Sequence, residues 1–226
     1  MSAWPDRPPA PGVTRLIIAT GNPDKVLELR AAFGDRPFEL LGARDVGVVR
    51  FPAEDGDTYE ANALIKAAHV ATATGLPALA DDSGLEVDAL RGAPGLYSAR
   101  FGGEGLSPGE RIAHLLARMR DVPEGDRGAR FVSVLALATP AGEVRTFEGR
   151  CEGRILQGPR GQGGFGYDPV FYSAELGRAF GEATREEKRA VSHRGRAVDA
   201  LLAWLDGPEG ARVVAEPSPE PGGGPP

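Results

Sequence analysis

Apolar positions along this chain follow two rhythms, a short continuous or alternating one and a helical one. Leu16 to Ala19 is an apolar run closed by Thr20-Gly21-Asn22-Pro23, after which Val26, Leu29 and Phe33 recur at helical spacing. That order predicts a strand, a tight turn and a helix. Asn22 suits the N-cap, Pro23 the first helical position and Asp24 the positive first turn. Phe38 to Leu41 and Val46 to Val49 are strand candidates, and Asp57 with Glu60 caps a helix running to about Thr74. On that helix Asn62, Ile65, Lys66 and His69 share a face. Ala78 to Ala80 predicts a brief buried strand that delivers Asp81-Asp82-Ser83-Gly84 at its carboxyl end, where ligands gather in open α/β sheets. Ser107 with Glu110 caps a helix striped by Ile112, Leu115, Leu116 and Met119. Phe131 to Thr139 and Val144 to Gly149, joined by Pro140-Ala141-Gly142, predict a hairpin. Thr184 with Glu187 opens a last helical region, whose end is packed by Val198, Leu201, Leu202 and Leu205. Strand-turn-helix units mixed with a hairpin predict an α/β fold, a mixed sheet flanked by helices.

Composition refines this picture at the ends. Residues 1–13 are rich in Pro, and residues 207–226 are almost all Pro, Gly, Glu and small residues, so both are expected to be disordered tails. The formal charge of −6 argues against a general affinity for nucleic acid or anionic membrane, and leaves any phosphate ligand to a local basic site. A single cysteine, Cys151, excludes a disulfide framework and fits a reducing cytoplasm. No secretory, lipidation or membrane-spanning pattern is expected.

Only three lysines occur, Lys25, Lys66 and Lys188, against 23 arginines. An ammonium is a compact point charge on a flexible stem and guanidinium a planar fork, so a tight phosphate site distinguishes them. Each lysine lies in a segment suited to chemistry. Thr20 to Lys25 joins a helix N-terminus, hydroxyl and amide donors and a lysine, which is what a polyanion needs, without the spacing of a Walker loop. A capped helix after a strand is also ordinary architecture. Adjacent Asp81 and Asp82, with Glu54-Asp55 upstream, repel unless a cation sits near them, and hard oxygen ligands favour Mg²⁺. A polar turn is the plainer reading of the same residues. In Gly161 to Asp168, glycines clear space around Phe165 for a flat ligand to stack, or form a hairpin entry with core aromatics. Lys188, His193 and Arg194 form a donor-rich cluster able to read carbonyl oxygens or pair with an anion.

Together, Thr20-Gly21-Asn22-Pro23-Asp24-Lys25, Asn62-Ala63-Leu64-Ile65-Lys66-Ala67, Asp81-Asp82-Ser83-Gly84-Leu85, Gly92-Ala93-Pro94-Gly95 with Tyr97-Ser98-Ala99-Arg100, Gly164-Phe165-Gly166-Tyr167-Asp168-Pro169 and Ser192-His193-Arg194-Gly195 resemble, in this order, the HAM1/RdgB family of inosine triphosphate (dITP/XTP) pyrophosphatases. The resemblance implies a Maf/HAM1-like α/β fold over residues 14–206: a long twisted mixed sheet with flanking helices, forming two lobes around a nucleotide cleft. It implies a homodimer that hydrolyses ITP, dITP or XTP to the monophosphate and pyrophosphate with Mg²⁺. Carried over by position, Thr20, Gly21, Asn22, Pro23, Asp24, Lys25 and Lys66 hold phosphates, and Asp82 is general base and metal ligand. Glu54 helps bind metal, and Ser83 touches the substrate. Phe165, with Gly166 and Tyr167 beside it, stacks on the base, which Asp168, Lys188, His193 and Arg194 recognise. Ala61 stands where many relatives carry an acid, so that carboxylate is missing from the expected metal ligands. Hypoxanthine and xanthine carry a carbonyl where adenine has an amine, so a donor cluster would reject adenine by leaving donors unpaired. A metal phosphatase acting on small esters, and a nucleotide-binding module without turnover, remain alternative readings of the same residues.

Overall fold

A computed structural model of the chain describes residues 10–215, and its first strand, β1, is Thr14–Ile18. Asn22 caps helix α1, Pro23–Phe33: its Oδ1 accepts from the backbone N–H of Asp24 and of Lys25. Strand β2, Phe38–Gly42, runs parallel to β1 from Thr14↔Phe38 to Ile18↔Gly42. The second strand expected at Val46 to Val49 is instead a 3-10 turn, Ala43–Val46, stopped by Gly47 at φ 84°. That left-handed backbone suits glycine and ends the element before a strand can start.

Helix α2 is Tyr59–Thr74, and its N-cap is Thr58, not Asp57. The Thr58 hydroxyl accepts the Ala61 N–H at 3.0 Å, so a competent cap one residue later sets the start. Strand β3 pairs in parallel with β1 and runs for ten residues, Ala78–Val87. Asp81 to Gly84 therefore lie within the strand rather than beyond its end. Leu85 and Val87 are fully buried, and such near-continuous burial marks a strand covered on both faces.

Helix α3, Pro108–Arg118, has the expected Ser107–Glu110 capping box. Strands β4, Gly128–Ala138, and β5, Val144–Ile155, are longer than expected, and β5 carries Cys151. The short strands β6, Phe171–Ser173, and β7, Arg178–Ala179, continue antiparallel from β5. Parallel and antiparallel pairs make the seven-stranded sheet mixed, in the order β2-β1-β3-β4-β5-β6-β7. Thr184 and Glu187 form a capping box on α4, Arg185–Val191, and α5, His193–Leu205, follows after Ser192.

The tail expected from residue 207 is overturned over its first part. Pro208–Ala215 is a helix, α6, with Pro at its start and Val213 and Val214 buried. Residues 216–226, like residues 1–9 of the N-terminal tail, lie outside the described residues.

The chain divides into two compact units. The first takes the chain through Asp82, Leu135–Phe147 and the chain from Val198; the second takes Ser83–Val134 and Glu148–Ala197. In the first, Leu16, Ile17, Ile18, Leu29 and Leu79 are fully buried, and Phe33 meets Phe38 edge-on at 5.4 Å between centroids. In the second, Leu85, Ile112, Leu115, Met119, Phe131, Phe171 and Phe180 belong to one apolar cluster.

Candidate functional site

In the first unit, two lysines converge on one main-chain oxygen. The turn after β1 is held by local bonds: the Asn22 N–H donates to Thr20 Oγ1 at 3.1 Å, and Asn22 Oδ1 accepts from Asp24 N–H at 2.9 Å. Thr20 to Asp24 thus present a helix N-terminus, as the sequence predicts. From the first turn of α1, Lys25 Nζ reaches the Asp81 carbonyl at 3.3 Å and the Asp81 carboxylate at 2.7 Å. From α2, Lys66 Nζ donates to the same carbonyl at 3.0 Å, and lies 3.1 Å from Asp82 Oδ1 and 3.0 Å from Glu54 Oε1. Strand β3 thus supplies a carbonyl to both ammonium groups and a carboxylate to each.

Burial sets the electrostatics here. Asp82 is 8% exposed, and loss of water pushes its pKa above the ordinary carboxylate value; Lys66 and then Lys25 oppose that rise without cancelling it. For Lys66 burial is again the largest influence and disfavours the charge, but Asp82 and Glu54 together reverse it and leave the lysine's pKa raised. Lys66 is therefore a fixed cation, and Asp82 a carboxylate more basic than usual.

Among the described residues, no three His, Cys, Asp or Glu side chains are grouped as a metal site. Glu54 and Asp82 nonetheless both approach the position of the Lys66 ammonium, so two hard oxygen donors can face one cation. Mg²⁺ is commonly held by one or two carboxylates, with phosphate oxygens and waters completing the octahedron, and this donor set fits it. Glu60, beside Ala61, bonds Thr146 Oγ1 at 2.9 Å instead.

The second unit carries an aromatic and cationic cluster. Asp168, buried, accepts through one oxygen both the Phe165 N–H at 2.8 Å and Lys188 Nζ at 2.6 Å. Gly164 has φ 68°, and a Cβ there would lie 2.0 Å from that oxygen, so only glycine permits the loop to close on Asp168. Lys188 Nζ sits 4.6 Å from the Phe165 ring centroid, and the Arg194 guanidinium 5.6 Å from it. Arg194 also donates to Ser83 Oγ at 3.0 Å. The His193 ring stacks on Phe131 at 4.7 Å and 14°. Gly166 adopts φ 60°, and the buried Tyr167 donates its hydroxyl to the Ser98 carbonyl at 2.9 Å. Burial lifts the Tyr167 pKa to about 12, so it stays a neutral donor.

The sequence-predicted residues thus fall into two sets. Thr20 to Lys25, Glu54, Lys66 and Asp82 lie in the first unit, and Ser83, Phe165 to Asp168, Lys188, His193 and Arg194 in the second. Three contributions escape sequence reasoning. Asp81 is the counter-ion of Lys25, and Asp168 orients Lys188 and the Phe165 backbone from within the loop. Ser98 ties the loop to β3, since its Oγ accepts the Leu85 N–H at 2.9 Å while its carbonyl holds Tyr167. The last was foreshadowed only by the Tyr97-Ser98-Ala99-Arg100 segment of the resemblance.

A dITP/XTP pyrophosphatase of Thermus thermophilus is 54% identical over 195 residues, covering 86% of this chain and 93% of that protein. That of Geobacter sulfurreducens is 49% identical over 195 residues, covering 85% and 98%. The solved structure of a HAM1 protein from Coxiella burnetii superposes with a TM-score of 0.79 at 38% identity, over 86% of this chain and 99% of that one. The Ham1 family model matches residues 16–204, which takes in every residue of both clusters, and the chain belongs to the Ham1 family.

Proposed function

We propose that this chain hydrolyses noncanonical purine nucleoside triphosphates, ITP, dITP and XTP, to the monophosphate and pyrophosphate. The observation that carries the reading is the closing of Lys25 and Lys66 on one carbonyl beside the raised-pKa Asp82. A polyanion needs such paired cations, and a water nucleophile needs such a base. The names of the relatives, dITP/XTP pyrophosphatases at about half identity, support the same reaction.

In this mechanism, the Thr20–Lys25 turn and Lys66 hold the triphosphate. Asp82 takes a proton from a water that attacks the α-phosphorus, and the bond from that phosphorus to the bridging oxygen breaks. Negative charge on the departing pyrophosphate is met by Lys25 and Lys66. Glu54 and Asp82 would hold Mg²⁺, whose chemistry there is neutralisation of phosphate charge. For the base, Phe165 offers a stacking face, while Lys188, His193 and Arg194 donate to the six-carbonyl of hypoxanthine or xanthine. Adenine, with an amine there, would leave buried donors unmatched. A homodimer working in the cytoplasm completes the proposal. The lone buried Cys151 suits a reducing compartment, and among the described residues no helix is long and apolar enough to cross a membrane.

The test is product identification with ITP, dATP and dGTP under Mg²⁺. Rapid formation of IMP and pyrophosphate from ITP, with little turnover of the other two, is expected. Orthophosphate would point to an ester or anhydride phosphatase, and binding without turnover to a nucleotide-binding module.

A further inference from the structure

Asn62 is an unusual residue for its place. It lies in the first turns of α2, is 3% exposed, and asparagine is a poor helix former whose buried amide demands partners. Its Oδ1 accepts the backbone N–H of Gly56 at 2.9 Å. Gly56 lies directly on the helix: a Cβ there would be 2.8 Å from the Ala61 Cβ and 2.9 Å from Asn62 Oδ1. Two residues before Gly56 is Glu54, and one helical turn after Asn62 is Lys66, the cation that Glu54 meets at 3.0 Å.

We infer that Asn62 is a positioning residue: by latching the Gly56 backbone to α2, it fixes the Glu54 carboxylate opposite Lys66 and beside Asp82. Residues 48–56 have no regular structure, so no sheet or helix ladder holds this stretch in place. The Glu54 side chain is 38% exposed, and an ion pair so open to water is too weak to order a loop alone. A buried bond to the loop's own backbone can order it, and the absence of a side chain at Gly56 is what lets the backbone come close enough. The latch and the cation stand one turn apart on the same helix, so the position of Glu54 is referenced to Lys66 itself.

This inference rests on the proposed pyrophosphatase reading for its consequence, and on geometry alone for the latch. Two measurements on the full chain separate them. In hydrogen exchange, Asn62→Ala should cost the Gly56 amide about tenfold or more of its protection, while amides in the middle of α2 keep theirs. Unchanged Gly56 exchange would overturn the latch whatever the activity. In ITP hydrolysis, Asn62→Ala should lower kcat by about tenfold, yet cost less than about twofold when Glu54→Gln is already present, because both changes act through one carboxylate. Losses that multiply independently would overturn the positioning role. Gly56→Ala leaves Asn62 in place but forces the loop off the helix, and should reproduce the kcat loss; wild-type rates in that variant would also count against it. A wild-type chain that releases no pyrophosphate from ITP removes the proposed function, and the exchange experiment still decides the latch.

Discussion

Burial raises the Asp82 pKa, and Lys66 at 3.1 Å offsets only part of that rise, so in the absence of metal and substrate the folded protein holds this carboxylate ionised at a cost. A group whose folded pKa lies above its unfolded one stabilises the fold at pH values below the unfolded pKa, and that contribution is lost as pH rises through the folded pKa. Asp82→Asn should therefore raise the melting temperature of the metal-free protein near pH 7. The gain is about 2–4 °C for each kcal/mol recovered at this chain length. Lys66 retains Glu54 as a partner, so the substitution does not strand its charge. The difference should shrink as pH falls and vanish about one unit below the ordinary carboxylate pKa of ~3.9, where the wild-type carboxyl is neutral in both states. The same variant should lose roughly 10²–10⁴-fold in ITP turnover with nucleotide binding kept, which is the usual worth of a general base. A variant that melts lower than wild type at pH 7 would mean that the ion pair, not the burial, dominates at Asp82.

Helix α6 carries the clearest disagreement between composition and structure. Pro, Gly and Glu around it read as a tail, yet Pro208 sits where a helix tolerates proline best and Val213 and Val214 turn inward. Glu209 bonds Arg145 at 2.5 Å and accepts from Trp204 Nε1 at 3.3 Å, and a Cβ on Gly210 would lie 2.2 Å from the Trp204 carbonyl. Replacing both valines by alanine should lower stability by roughly 2 kcal/mol, read as a drop in the urea midpoint at constant slope. A tail would show no change. Elsewhere, legibility followed the range of the interaction. The Ser107–Glu110 and Thr184–Glu187 caps were readable because both partners lie within four residues, while Asp57 lost to Thr58 because a hydroxyl one residue on took the Ala61 N–H. The length of β3 was hidden because a polar Asp81-Asp82-Ser83 stretch looks like a turn until Lys25, 56 residues away, is brought onto the Asp81 carbonyl. At the site, the three lysines marked their segments in the sequence. Which acid meets which lysine is a tertiary fact, and so is the use of Asp168 as an internal anchor.

The chain passes between its two units four times, and every passage lies inside a regular element. Asp82 and Ser83 are neighbours within β3, Val134 and Leu135 within β4, Phe147 and Glu148 within β5, and Ala197 and Val198 within α5. Independent domains are normally joined through exposed linkers that few contacts cross, so that one can melt and leave the other whole. Here, each unit takes part of the same three strands and one helix, so neither unit ends at a linker. Chains above about 150 residues often unfold in steps, but shared elements oppose that tendency. Calorimetry of the ligand-free protein should give one transition, with the van't Hoff enthalpy matching the calorimetric one. Urea unfolding adds a local probe. With Trp4 replaced by Phe, fluorescence comes from Trp204 of the first unit alone, which packs against Phe147 at 5.7 Å. Its transition should coincide with that of far-ultraviolet circular dichroism, which sums over both units. Two calorimetric peaks, or a Trp204 transition displaced from the dichroism, would mean that the three strands and the helix fray at the four crossing points and that each unit holds its own cluster of site residues without the other.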